Sequence, residues 1–218
     1  MNRAIAIYRS SIGKKAVMAV TGIIGVGFVV GHMIGNLQIF QGPEKLNHYA
    51  LALRKLGPIL YFIRFVLLGA VVLHVVAAYQ LSKMSWDARE HGYAKWKPIG
   101  SDYASRTMRW TGPILLLFII YHLLDFTFGK TNPDFVPGDV YHNVIDSFKV
   151  WYITAFYVIS MLCLGFHMNH GFWSMFQSLG LNNPKVDRWW RTLAILITGV
   201  VVIGNIVMPL AVLAGFIR

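Results

Sequence analysis

The sequence predicts an all-α membrane protein with five transmembrane helices, four of them forming a bundle. Three observations carry this. Only 13% of the 218 residues are charged and 56% are hydrophobic, whereas a soluble domain carries about 25% charged residues. The mean hydropathy is +0.54. Five long stretches are free, or nearly free, of Asp, Glu, Lys and Arg, and each is close to the roughly 20 apolar residues that cross a bilayer as a helix.

The spans follow in order. The first is expected at about 16–35, since Ala16 to Ile34 carries no charge. The second, about 59–82, holds only Arg64 between Ile59 and Leu81. The third, about 108–128, is the shortest, with Arg109 and Asp125 bracketing an uncharged run. The fourth, about 150–176, and the fifth, about 192–215, lie in the uncharged runs Val150 to Leu181 and Thr192 to Ile217. No linker is long enough to separate domains and no internal repeat is evident, so residues 1–218 read as a single transmembrane domain. Arg3, Arg9, Lys14 and Lys15 run straight into a full-length span, which is expected to be retained rather than cleaved.

Between the first two spans, Pro43 suits the first turn of a helix. Leu46, Ala50, Leu53 and Leu56 recur at helical spacing behind it, predicting a short amphipathic surface helix that ends at Gly57-Pro58. The loop between the third and fourth spans, with Asn132-Pro133 and Pro137-Gly138, reads as turns. Trp86, Tyr93, Trp96, Tyr103, Trp189 and Trp190 flank spans where aromatic rings favour the membrane interface. Gly27, Gly31 and Gly35 make a small-residue face that admits either a neighbouring helix or a flat ligand. Pro209 is expected to bend the fifth span. The single Cys163 excludes an intrachain disulfide and a thiolate-held cluster.

Thirteen of the 20 Lys and Arg residues fall in the N-terminal segment and in the loops after the second and fourth spans. The positive-inside rule therefore puts the N-terminus in the cytoplasm and the C-terminus outside. The net charge of +11 follows from this asymmetry and from contact with anionic lipid. It also suits a docked protein with an acidic face. Nucleic acid is not expected as a partner, because no soluble basic domain exists.

Four histidines lie inside the spans, where imidazole is costly and marks function. At 1.5 Å per residue, His32 and His122 lie about 24 and 21 Å from the inner side, and His74 and His167 about 22 and 26 Å from the outer side. The depths pair His32 with His122 near the outer face and His74 with His167 near the inner face. Two imidazoles on different helices at one depth suit a metal held from both sides. The four-helix bundle then becomes a haem-binding bundle with two bis-histidine haems, passing electrons without binding oxygen. His170 lies one turn beyond His167 and competes with it or bonds a haem propionate. Arg106 and Arg109 suit propionates at the inner haem.

The stretches TGIIGVGFVVGHMIGNLQIF, IRFVLLGAVVLHVVAAYQL, YHLLDFTFG and GFHMNHGFWSMFQSLG resemble the cytochrome b subunit of bacterial succinate:quinone oxidoreductases, of the five-helix, single-chain, two-haem type. The resemblance runs from about Ser10 to Leu213. It implies that His74 and His167 hold the inner haem b, and His32 and His122 the outer one. It further implies a non-catalytic electron-transfer subunit in a bacterial cytoplasmic membrane. The implied partners are a flavoprotein with FAD and an iron–sulfur subunit, with a quinone, expected to be menaquinone, as electron acceptor. Asn36, Gln38, Lys45, His48, Tyr49 and Asp125 are the polar residues available to a quinone near the outer haem. Some fumarate-reducing members carry a Glu two residues before the last ligand; here that position is Gly165, which favours succinate oxidation. The alternatives are a two-haem cytochrome b of a hydrogenase or formate dehydrogenase, and a transporter with a histidine proton relay.

Overall fold

A computed structural model describes residues 8–89, 91 and 101–218. Arg3, Tyr93, Lys95, Trp96 and Lys97, which entered the charge and aromatic patterns, lie outside the described residues. The described residues are helical with no strand, and five helices are long and apolar enough to cross a membrane. They are α1 (Ser11–Asn36), α3 (Pro58–Asp87), α4 (Tyr103–Phe126), α6 (Trp151–Ser178) and α7 (Asp187–Leu213). A 3-10 turn (Leu37–Gln41) and two short helices, α2 (Pro43–Lys55) and α5 (Val140–Lys149), lie between them.

Local chemistry sets the helix ends. The Ser10 hydroxyl accepts from Gly13 N at 3.0 Å and caps α1. The Asp102 carboxylate accepts from Ser105 N at 2.7 Å and caps α4. Pro43 and Pro58 occupy the first turns of α2 and α3. Gly57, between these helices, has φ +53°, a value that strains any residue with a Cβ. The surface helix predicted after Pro43 is thus present and ends where expected.

α1 packs on α3 and α6, α4 packs on α6, and α7 covers the back of α6. Neither α1 with α4 nor α3 with α6 is a close-packed pair. These two pairs instead face each other across the interior of the bundle. Phe65, Trp110, Ile195 and Ile203 are exposed, as expected for side chains in lipid. Inside the membrane, burial from water no longer drives helices together, so close van der Waals contact carries the packing. Gly204 of α7 provides one such contact, since a Cβ there would overlap Met33 Sδ of α1. Of the glycine face on α1, only Gly35 is covered, by the Tyr49 ring of α2. At Gly27 and Gly31 a Cβ would meet nothing within 4 Å, so no helix seats there.

The loop after α4 differs from its prediction, because residues 140–149 form a helix. Asp139 accepts from His142 N at 3.0 Å and caps α5. Ile145 and Phe148 bury their side chains, joining Ile39, Leu46 and Met208 in one cluster. The prolines earlier in the loop masked this ten-residue element. Asn47 of α2 locks it in place, donating to Asp139 Oδ1 at 2.8 Å and accepting from Tyr141 N at 3.0 Å. The His142 N–H and the Asn47 amide hold the Asp139 carboxyl below its usual pKa. Asn47→Ala is expected to cost about 1–2 kcal/mol through these two bonds. Differential scanning in detergent, with the rate of proteolytic cleavage at the α5 loop, measures that loss.

Candidate functional site

Four imidazoles form two layers. The rings of His32 (α1) and His122 (α4) are 5.8 Å apart between centroids, with planes at 88°. The rings of His74 (α3) and His167 (α6) are 6.1 Å apart, at 54°. Each layer bridges helices that do not otherwise pack together. Thr21 of α1 touches His74, and His32 lies eleven residues further along α1, so the layers stand about 16 Å apart along the helix.

Hydroxyl groups orient three of the rings. Thr21 Oγ1 lies 3.1 Å from His74 Nδ1 and donates its proton to Val17 O at 2.8 Å or Met18 O at 3.1 Å. A hydroxyl has one proton, so towards His74 this oxygen accepts, and Nδ1 carries the ring proton. Thr111 repeats the arrangement, 3.4 Å from His167 Nδ1 and 3.2 Å from Thr107 O. Tyr157 OH lies 3.4 Å from His122 Nδ1 and donates to Asp125 Oδ2 at 3.1 Å. In all three rings the Nε2 lone pair is left for a metal, an arrangement typical of ligating histidines. His32 has no such hydroxyl partner among the described residues and stacks on Phe28 at 5.2 Å.

The spacing suits a metal between each pair of rings. A metal–imidazole bond is about 2 Å, so two imidazoles on opposite sides of one metal have centroids about 6 Å apart. No cluster of three or more His, Cys, Asp or Glu able to hold a metal exists among the described residues. Each pair therefore offers two ligands, and a planar macrocycle would supply the remaining four. Room for one exists. Gly25 lies almost two full turns from His32, and Gly171 one turn from His167, so each shares the face of its histidine. A Cβ at either glycine would meet nothing within 4 Å. The residues present fit a bis-histidine haem in each layer.

Contrary to the sequence expectation, the chain contains an internal repeat. TGIIGVGFVVGH at 21–32 and TGPILLLFIIYH at 111–122 share T-G-x-I-x-x-x-F-x-x-x-H. Eleven residues make about three turns, so the Thr and His of each copy lie on one helix face. In each copy the Thr hydroxyl meets the histidine of the next span, Thr21 with His74 and Thr111 with His167. In each copy the Phe ring packs on its own histidine, at 5.2 Å for Phe28 and 5.7 Å for Phe118. The orienting residues Thr21, Thr111 and Tyr157 escaped the sequence reading, and this repeat was the signal for the two threonines.

The family model described as "Succinate dehydrogenase/Fumarate reductase transmembrane subunit" matches residues 93–208, more than half of the chain. The chain belongs to this family. A curated relative, the "Succinate dehydrogenase cytochrome b558 subunit" of Bacillus subtilis (strain 168), is 25% identical over 171 residues, covering 77% of this chain and 80% of the relative. No solved structure matches.

The remaining candidate residues of this membrane-anchor subunit are dispersed. His170 lies half-buried beside the layer of His74 and His167, its Nδ1 4.0 Å from Asp102 Oδ1. Arg106 and Arg109 are exposed near the start of α4, over the rings of Tyr103 at 5.9 Å and Trp86 at 5.3 Å. On the opposite face, Lys45 and His48 line a shallow groove with Gln41 and Glu44. Asn36 ends α1 and Gln38 lies in the 3-10 turn. Tyr49 packs over Gly35 instead of lining the groove. Asp125 is fully buried and does not face the groove either. Gly165 faces α7, where a Cβ would stand 3.0 Å from Val202 Cγ2.

Proposed function

We propose that this chain is the di-haem b membrane anchor of a bacterial succinate dehydrogenase. In this reading it relays electrons from an iron–sulfur subunit, itself fed by an FAD-bearing flavoprotein, to a membrane quinone such as menaquinone. The single observation that carries the reading is the pair of opposed imidazole layers, at 5.8 and 6.1 Å, on helices of a succinate dehydrogenase/fumarate reductase transmembrane subunit. The name of the Bacillus subtilis relative adds that a protein similar over most of both chains is a cytochrome b. When bound, two haems supply one-electron transfer across the membrane. The chain occupies the cytoplasmic membrane with its N-terminus inside, as its Lys and Arg distribution favours.

The roles of the residues follow from their chemistry. His74 and His167 hold the haem nearer the cytoplasm, and His32 and His122 the one nearer the outside. Bis-histidine ligation leaves no open position for oxygen. Arg106 and Arg109 are free to swing from their aromatic neighbours to propionates, and His170 offers a further polar contact there. Lys45 and His48 in the outer groove, with Asn36 and Gln38 nearby, are the polar groups offered to a quinone.

The test is a haem-to-chain ratio on the complex purified with its partners. Two b-type haems per chain and succinate-driven quinone reduction are expected; a ratio of zero or one, or co-purification with a hydrogenase, overturns the reading. Thr21→Val removes the acceptor for the His74 ring proton without changing the size of the side chain. It is expected to weaken binding of the haem at His74 and His167 by about 10–100-fold, read as the rate of haem loss to an apoprotein acceptor.

A further inference from the structure

The two halves of the repeat are matched at Thr, Phe and His, but they differ beside the far-face layer. Of the four layer histidines, His122 alone is backed by a carboxylate among the described residues. Tyr157 OH, 3.4 Å from His122 Nδ1, donates to Asp125 Oδ2 at 3.1 Å. Ser147 Oγ donates to Asp125 Oδ1 at 3.0 Å, and Thr131 Oγ1 to the same oxygen at 3.3 Å. Asn132 Nδ2 in turn donates to Ser147 Oγ at 3.3 Å. Three hydroxyl donors converge on one carboxyl whose exposure is 0%. That donor set suits an ionised group, which can only accept. Phe118, Phe126 and Phe148 surround the Tyr157 ring at 5.2, 5.7 and 4.9 Å and keep water from it.

The equivalent of Asp125 in the first repeat, three residues after its histidine, is Gly35. His32 therefore has no such chain. In the other layer the threonines at His74 and His167 are backed only by backbone carbonyls. A ligating imidazole whose N–H meets a stronger acceptor becomes a stronger donor to its metal. A stronger donor favours the oxidised iron, and second-shell hydrogen bonding is one of the levers that set haem potentials. Hydrogen bonds in a chain polarise one another, and more so where water is excluded.

We propose that Asp125, acting through Tyr157 on His122, is a positioning residue that lowers the reduction potential of the haem at His32 and His122 and leaves the other haem untouched. This rests on the haem reading above. The experiment is a redox titration of the purified complex, followed optically and by electron paramagnetic resonance, for wild type, Asp125→Asn, Tyr157→Phe and Asp125→Glu. Asp125→Asn and Tyr157→Phe are expected to keep both haems and to raise one midpoint by the equivalent of about tenfold in the reduction equilibrium, 59 mV for one electron. The second midpoint stays at the wild-type value, and Asp125→Glu restores part of the shift. Tyr157→Phe is the discriminating variant, because it breaks the chain and leaves the carboxylate in place. Unmoved midpoints in Tyr157→Phe, equal movement of both haems, or loss of haem from both variants each overturns the proposal. A wild-type chain without haem defeats the haem reading itself, which is a distinguishable result.

Discussion

Replacing His74 or His167 with alanine is expected to leave one haem per chain instead of two. The two rings face each other at 6.1 Å from helices that make no close packing with one another. On the proposed reading, either substitution would remove one of the two residues holding that haem, and among the described residues no third His, Cys, Asp or Glu clusters there to replace it. The layer of His32 and His122 stands about three helical turns away, so its ligands stay in place. A pyridine haemochrome assay against protein concentration reads the ratio directly. The surviving haem should keep its wild-type potential. Retention of both haems in both variants would refute the pairing. His170 is the control, since its loss is expected to leave the ratio at two.

Gly165→Glu is expected to be the most damaging single change away from the histidines. The position lies on the seam between α6 and α7, with Val202 Cγ2 3.0 Å and Thr198 Cγ2 3.9 Å from a Cβ built there. A glutamate must displace Val202 and also bring a carboxylate into an apolar seam. Overpacking costs about 1–3 kcal/mol, and a charge at the centre of a membrane helix about 2.5–3.5 kcal/mol. The combined loss should appear as a clear fall in the midpoint of thermal unfolding in detergent. Gly165→Ala, which adds only the Cβ, should fall by much less. Equal stability of the glutamate variant and wild type would show that the seam opens to water.

The architecture was legible because lipid imposes simple demands on sequence. Uncharged runs of the right length located all five spans, and the Gly57-Pro58 break located the end of α2. The helix that carries the third span begins before the uncharged run, at Tyr103, so Arg106 and Arg109 lie within α4. The helix α5 was hidden because its buried polar residues, Asn143 and Ser147, read as loop. They can be buried because the Asn143 amide pairs with the Val136 backbone, and Ser147 accepts from Asn132 and donates to Asp125, which only the folded loop reveals.

Depth arithmetic found which imidazoles share a layer, because rise per residue is fixed and four rare residues suffice to define two planes. The hydroxyls beside them were not found. A threonine in a membrane helix bonds its own backbone as a matter of course, so nothing in composition distinguishes Thr21 from Thr107. Only the repeated spacing from Thr to His does. Asp125 misled for the opposite reason. A carboxylate near a membrane surface reads as accessible, yet Ser147, Tyr157 and Thr131 enclose it.

The repeat also governs how the molecule can come together. His32 and His74 belong to the first copy with its following span, and His122 and His167 to the second. Each layer draws one imidazole from each copy, so neither copy owns a complete layer. A ribosome that has finished α3 has therefore made two half-sites and no whole one. The layer of His32 and His122 is complete only once α4 has been made, and that of His74 and His167 only once α6 has entered the membrane, so whatever occupies them acts as a rivet between the early and late parts of the chain.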